Sequence, residues 1–273
     1  MDKRLLYVGI GIIIAIVVVV ALILNSGNGG GKALIGQDNV AVPAQQLSQL
    51  KDIAMNASIA DAVGLGSAAN LPIFTNASSV FLTNGKPTVL YIGADFCPYC
   101  AITRWGMVIA MLRFGNFTKL HYMTSSATDV YPNTPTFTFY NSSYQSNVIT
   151  FIELEEETNT YKPLQSPTAL ENNVFTKYDL NNPNVASQLR GGIPFIDYGN
   201  ISIQAAAEID PQVVKGYDWS QIISLLNNTN SPVTLALIGE ANVFTAQICK
   251  ITNNSNPAVC SQPYIKQILS YQS

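Results

Sequence analysis

Charge is what this sequence has least of. Asp, Glu, Lys and Arg make up 11% of its 273 residues, against ~25% in an average soluble domain. The 14 basic residues form no run and the net charge is −3. There is no electrostatic footprint for phosphates, which excludes nucleic acid as a partner. Histidine occurs once, at His121, and cysteine four times. A zinc site needs four ligands at suitable spacing. His121 and a Cys249/Cys260 pair make a poor match, so neither metal nor cofactor is expected. A convincing signal-cleavage site is also lacking, because the first apolar run ends in Leu22-Ile23-Leu24-Asn25 rather than in a small-x-small pattern.

That run is the longest feature present. Residues 5–24 carry no charge over 20 positions, and a helix of that length spans about 30 Å, the hydrocarbon thickness of a bilayer. Lys3 and Arg4 precede it, and the next basic residue is Lys32. The positive-inside rule then keeps residues 1–4 in the cytoplasm and sends the remainder outward. The expected location is the cell membrane, single-pass, with the C-terminal domain extracellular. Four cysteines suit that compartment, where disulfides persist. Seven Asn-x-Ser/Thr sequons begin at Asn56, Asn76, Asn116, Asn141, Asn200, Asn227 and Asn253, against roughly four by chance, so glycosylation is expected at some of them.

Residues 25–35 read as a glycine-rich linker and 36–83 as an N-terminal helical segment. Within it, Leu47, Leu50, Ile53 and Ala54 have helical spacing, whereas 57–70 is rich in small residues and reads as irregular. After the turn signal Asn84-Gly85-Lys86-Pro87, residues 88–93 predict a buried central strand. Cys97-Pro98-Tyr99-Cys100 follows at once, and Ile102, Trp105, Val108, Ile109 and Leu112 trace one face of a helix. Residues 119–124 read as the next strand, parallel to the first in a right-handed βαβ unit. An insert at about 125–190 holds a hairpin of 136–140 with 148–155, and Glu153, Glu155, Glu156 and Glu157 read as its solvated end. Another hairpin opens after Ile193-Pro194, a helix spans 210–226, and a mostly helical tail, 229–273, carries Cys249 and Cys260.

A Cys-x-x-Cys at a helix start is expected to place its first sulfur facing solvent, where free N–H groups and the positive dipole end favour a thiolate. The second cysteine, one turn on, can resolve a mixed disulfide. Pro98 fits the first helical turn, where its missing N–H is not needed. A structural disulfide and half of a metal site are the alternatives for this pair. Cys249 and Cys260 read as a structural disulfide, with a second redox pair as the sharper alternative.

The strand running into Cys97, the Ile193-Pro194 dipeptide before a strand, and the hairpin and helix after it resemble the thioredoxin superfamily over residues 84–228. The resemblance implies an α/β, thioredoxin-like fold carrying a β-hairpin-containing insert, an N-terminal transmembrane helix and a helical C-terminal extension. It implies Cys97 as nucleophile, Cys100 as resolving thiol, Pro98 and Tyr99 tuning potential and access, and a cis Ile193-Pro194 bond aligning substrate. Its partners would be extracytoplasmic protein thiols and disulfides. Where thioredoxins keep a buried acid, six residues before the first cysteine, this chain has Tyr91; Asp95, nearer, is expected to be exposed. The whole architecture is similar to an archaeal membrane-anchored thioredoxin-like family of undetermined function, from thermoacidophiles such as Sulfolobus. The expected activity is thiol–disulfide exchange on secreted or surface proteins. The alternative is a non-catalytic envelope protein with a structural Cys97–Cys100 disulfide.

Overall fold

The computed structural model describes residues 38–68 and 70–271. The residues expected to form the cytoplasmic N-terminus (1–4), the membrane helix (5–24) and the linker (25–35) lie outside these. Helix α1 (Ala44–Ala54) buries Leu50, Ile53 and Ala54. Contrary to the composition-based expectation, α2 (Ala57–Val63) follows it. Asn56 caps this helix, its Oδ1 accepting a hydrogen bond from the Ile59 N–H at 3.3 Å, and that cap satisfies a donor the small residues could not.

Next come β1 (Ile73–Phe74), β2 (Leu82–Thr83), β3 (Lys86–Gly93), α3 (Pro98–Leu112), β4 (Gly115–Thr124), β5 (Pro135–Ser146) and β6 (Thr150–Glu155). Helix α4 (Ala169–Phe175) runs into a π-helical turn at Thr176–Leu180. Strands β7 (Phe195–Tyr198) and β8 (Ser202–Gln204) precede a 3-10 turn at Pro211–Val214. Helices α5 (Trp219–Leu225), α6 (Pro232–Ile251), α7 (Pro257–Cys260) and α8 (Pro263–Ser270) complete the chain. The single helix expected over 210–226 is thus split. Gly216, at φ +84°, takes a left-handed conformation that a continuous helix cannot contain.

The fold is mixed α/β. Strand β3 lies at the centre of the main sheet, with β7 antiparallel along one edge and β6 parallel along the other. β8 and then β1 extend the β7 side, and β2 pairs with the first residues of β3. This corrects the sequence reading of the crossover. Residues 119–124 belong to β4, which pairs antiparallel with β5 in a separate two-stranded sheet. The parallel partner of β3 is β6, from the segment expected to be half of an inserted hairpin. The β4–β5 ladder satisfies its own hydrogen bonds, leaving β6 to complete the sheet.

Successive β3 side chains alternate between the two faces. Val89 and Tyr91 join the large core under α3, α6 and the β4–β5 hairpin, while Leu90 and Ile92 join a smaller one with Val174, Tyr178 and Phe195. Only Tyr99 along α3 escapes burial. Trp105 fixes the hairpin over this helix, its indole N–H donating to the Pro135 carbonyl at 2.8 Å and its ring meeting Phe137 edge-on. Helix α6 is long and apolar enough to pass a test for a membrane span. Nearly all of it is nonetheless buried within this fold, as a core helix.

Cys249 and Cys260 form a disulfide joining the end of α6 to α7, with Cα atoms 5.5 Å apart. The closed loop is short, so chain entropy assigns the bond about 2–3 kcal/mol. Replacing both cysteines with alanine is expected to lower the melting temperature and leave the alkylation rate of Cys97 unchanged. An unchanged melting temperature would contradict a structural role for the bond.

Candidate redox site

The end of β3 delivers the chain through Ala94, Asp95 and Phe96 to Cys97, which is the N-cap of α3. Its Sγ accepts a hydrogen bond from the Cys100 backbone N–H at 3.1 Å. Pro98 occupies the first helical turn. Both thiols are unpaired, and their environments push them apart. The Cys100 thiol, hydrogen-bonded to Cys97, holds the Cys97 pKa below its usual value against the cost of burial. The Cys100 and Tyr99 backbone N–H groups and the Arg104 charge help. Cys100 goes the other way, burial raising its pKa well above normal. One thiol is set up to attack and its neighbour to hold a proton.

Opposite Cys97 stands the Ile193 carbonyl, 4.0 Å from its sulfur, and the Ile193–Pro194 bond is cis. Tyr99 is 42% exposed and meets Tyr131 edge-on, while Phe96 packs on Tyr161. The structure therefore brings Cys97, Cys100, Pro98, Tyr99, Ile193 and Pro194 together. In one respect it corrects the expectation of a solvent-facing nucleophile. Cys97 is only 5% exposed.

Sequence reasoning missed what lies beneath. Arg104, one turn beyond Cys100, is fully buried. Its Nε donates to Glu155 Oε1 at 2.8 Å and its Nη2 to Glu155 Oε2 at 2.7 Å. Nη2 also donates to the Ala94 carbonyl at 2.6 Å and lies 3.7 Å from Asp95 Oδ1. Two expectations are corrected here. Asp95, expected to be exposed, is 2% exposed, and Glu155, expected at a solvated strand end, is completely enclosed. The register explains Glu155. It pairs with Gly93, whose missing side chain leaves room for the Tyr91 hydroxyl, and Glu155 therefore shares the face that meets α3. Burial pushes Asp95 up to about 7 and raises Glu155, although Arg104 opposes both. Tyr91 is also buried and pushed well above its usual value. A sequence signal did exist. Arg104 is the one charged side chain in the 15 residues of α3, so the helix has no polar face to leave in water.

A further buried acid, Glu240 of α6, sits against Gly106 and Thr103 of α3. Burial raises its pKa well above the usual value, with Glu208 adding to the effect. Among the described residues, no group of three or more His, Cys, Asp or Glu side chains is placed to hold a metal ion. Of the seven sequon asparagines, Asn56, Asn76, Asn116, Asn141, Asn227 and Asn253 are exposed, and Asn200 is half-buried with Oδ1 enclosed.

No curated protein and no solved structure matches this chain significantly. A family model described as "Domain of unknown function (DUF929)" matches residues 73–250, which include the cysteine pair, Arg104, Glu155 and the Ile193–Pro194 bond. The chain belongs to that family.

Proposed function

We propose that this chain is a thioredoxin-like thiol–disulfide oxidoreductase, tethered by residues 5–24 to the outer face of the cell membrane and acting on secreted or surface proteins. The observation that carries the reading is the division between the two thiols: Cys97 at the helix N-cap is depressed and Cys100 is raised. Further support comes from the parallel β3–β6 pair, whose connection runs through α3 and the β4–β5 hairpin, and from the Ile193 carbonyl beside Cys97.

In the reductive direction the Cys97 thiolate attacks one sulfur of a substrate disulfide. The substrate S–S bond breaks, a mixed disulfide forms and one substrate thiolate leaves. Cys100 then loses its proton and attacks Cys97 Sγ, which releases the second substrate thiolate. The substrate gains two electrons, and the chain keeps a Cys97–Cys100 disulfide. Run backwards, the same steps oxidise a dithiol. The electron-flow direction depends on which redox form is the more stable.

A second reading, a non-catalytic envelope protein with a structural Cys97–Cys100 bond, draws on the enclosure of Cys97. Insulin reduction by the full-length chain in detergent, with dithiothreitol as reductant, distinguishes them. Catalysis above the dithiothreitol background that disappears in Cys97→Ser is expected. Equal rates for the chain, the variant and the background would leave the envelope reading.

A further inference from the structure

One guanidinium and two carboxylates, all buried, meet one helical turn beyond the cysteine pair. Arg104 forks onto Glu155 and leaves Asp95 as the extra charge, with Nη2 3.7 Å from Asp95 Oδ1. Neighbours arrive from every side. From β5, Thr138 hydrogen-bonds Asp95 and the Phe139 N–H donates to Glu155. Tyr91 of β3 lies under the Arg104 guanidinium, and Glu153 of β6 acts on Glu155. Asp38, ahead of α1, acts on Asp95. From α3, the same arginine acts on both cysteines.

Two buried carboxylates facing one cation cannot both ionise cheaply. With one proton between them the trio is neutral; without it the trio carries a net negative charge. We propose that Arg104, Glu155 and Asp95 work as one charge-regulating unit, in which a proton carried by the two carboxylates decides how much of the guanidinium's charge is left to stabilise the Cys97 thiolate. The inference rests on the reading of Cys97 as the working thiol. While the proton is held, Arg104 favours the thiolate. Once it is lost, the negative trio opposes the thiolate, so alkalinity gains less reactivity than a lone thiol would show. Linkage makes the effect mutual: a thiolate at Cys97 tightens the grip of the carboxylates on their proton. The raised value of about 7 for Asp95 puts this exchange near neutrality.

Two titrations of the full-length chain in detergent test the coupling without requiring any disulfide exchange. One follows iodoacetamide alkylation of Cys97 against pH in the wild type and in Asp95→Asn. The other follows the Asp95 carboxyl by carbon-13 NMR in the reduced wild type and in Cys97→Ser. Coupled groups share their titration steps, so at least one inflection should fall in the variant. The shift expected is roughly one pH unit, about a tenfold change in the ionised-to-protonated ratio. Superimposable curves in both comparisons overturn the unit, even if insulin reduction is intact. Coupled curves without insulin reduction uphold it and remove the oxidoreductase reading instead.

Discussion

The folded chain is expected to be most stable in acid and to lose stability as pH rises from about 4 to about 7. Asp95 and Asp197 are both buried, and burial pushes each up to about 7. Once the chain unfolds they return to about 4. In that window the folded protein holds protons that the unfolded chain has released, so unfolding becomes easier with each increment of pH. Their contribution is complete below the unfolded value and gone above the folded one. Between them it amounts to several kcal/mol, on the order of 10 °C in melting temperature for a domain of this size. Glu153, also raised to about 7 but half-buried, adds less. Cys97 works in the opposite sense, because its depressed pKa adds stability as pH climbs toward the free thiol value. It is a single group against several. Thermal melts at pH 4, 5.5, 7 and 8 check the slope, and Asp197→Asn should flatten it. A maximum at or above pH 7 would contradict the burial of these acids.

The same buried acids show where sequence reading succeeds and where it stops. Positions governed by local chemistry were legible. Cys97 and Cys100 follow a continuous apolar strand and open a helix, and Ile193-Pro194 precedes a strand. Cys249 and Cys260 are the only other cysteines available to pair. Positions governed by contacts distant in sequence were not. Asp95 follows Gly93-Ala94 and looks like a strand end meeting solvent. It is covered because its N–H donates to the Glu157 carbonyl and Thr138 reaches it from β5. Glu155 was hidden in a run of acids whose other members do meet water in part. Only the parallel register of β6 against β3 sets it beside Gly93 and in reach of Arg104.

The crossover was misread for a related reason. Residues 119–124 are the first strand-like segment after α3, and proximity favours them as the next strand of the sheet. The β4–β5 ladder, running from Gly115↔Ser146 to Thr124↔Pro135, is long enough to stand as its own layer against α3. Phe137 and Phe139 face inward there, against Trp105 and Tyr91. Helix α6 could be foreseen as a helix but not as the cover of α3. Its buried Glu240, Asn242, Thr245 and Gln247 make it polar enough to resemble a half-exposed tail.

Mixed-disulfide trapping tests the central claim most directly, that Cys97 is the attacking thiolate and Cys100 its resolving partner. In Cys100→Ala the backbone N–H at position 100, the helix end and Arg104 still favour the Cys97 thiolate, though the bond from the Cys100 thiol is lost. Attack therefore proceeds and release does not. In Cys97→Ala the remaining Cys100 is fully buried and holds its proton, so it attacks slowly or not at all. The measurement is intact mass spectrometry of each full-length variant, reduced, freed of reductant and incubated with oxidised insulin at pH 7. The account predicts a persistent Cys97–insulin adduct in most Cys100→Ala molecules, cleaved by dithiothreitol, and none in Cys97→Ala. Equal trapping by the two variants, or no adduct in either, would contradict it.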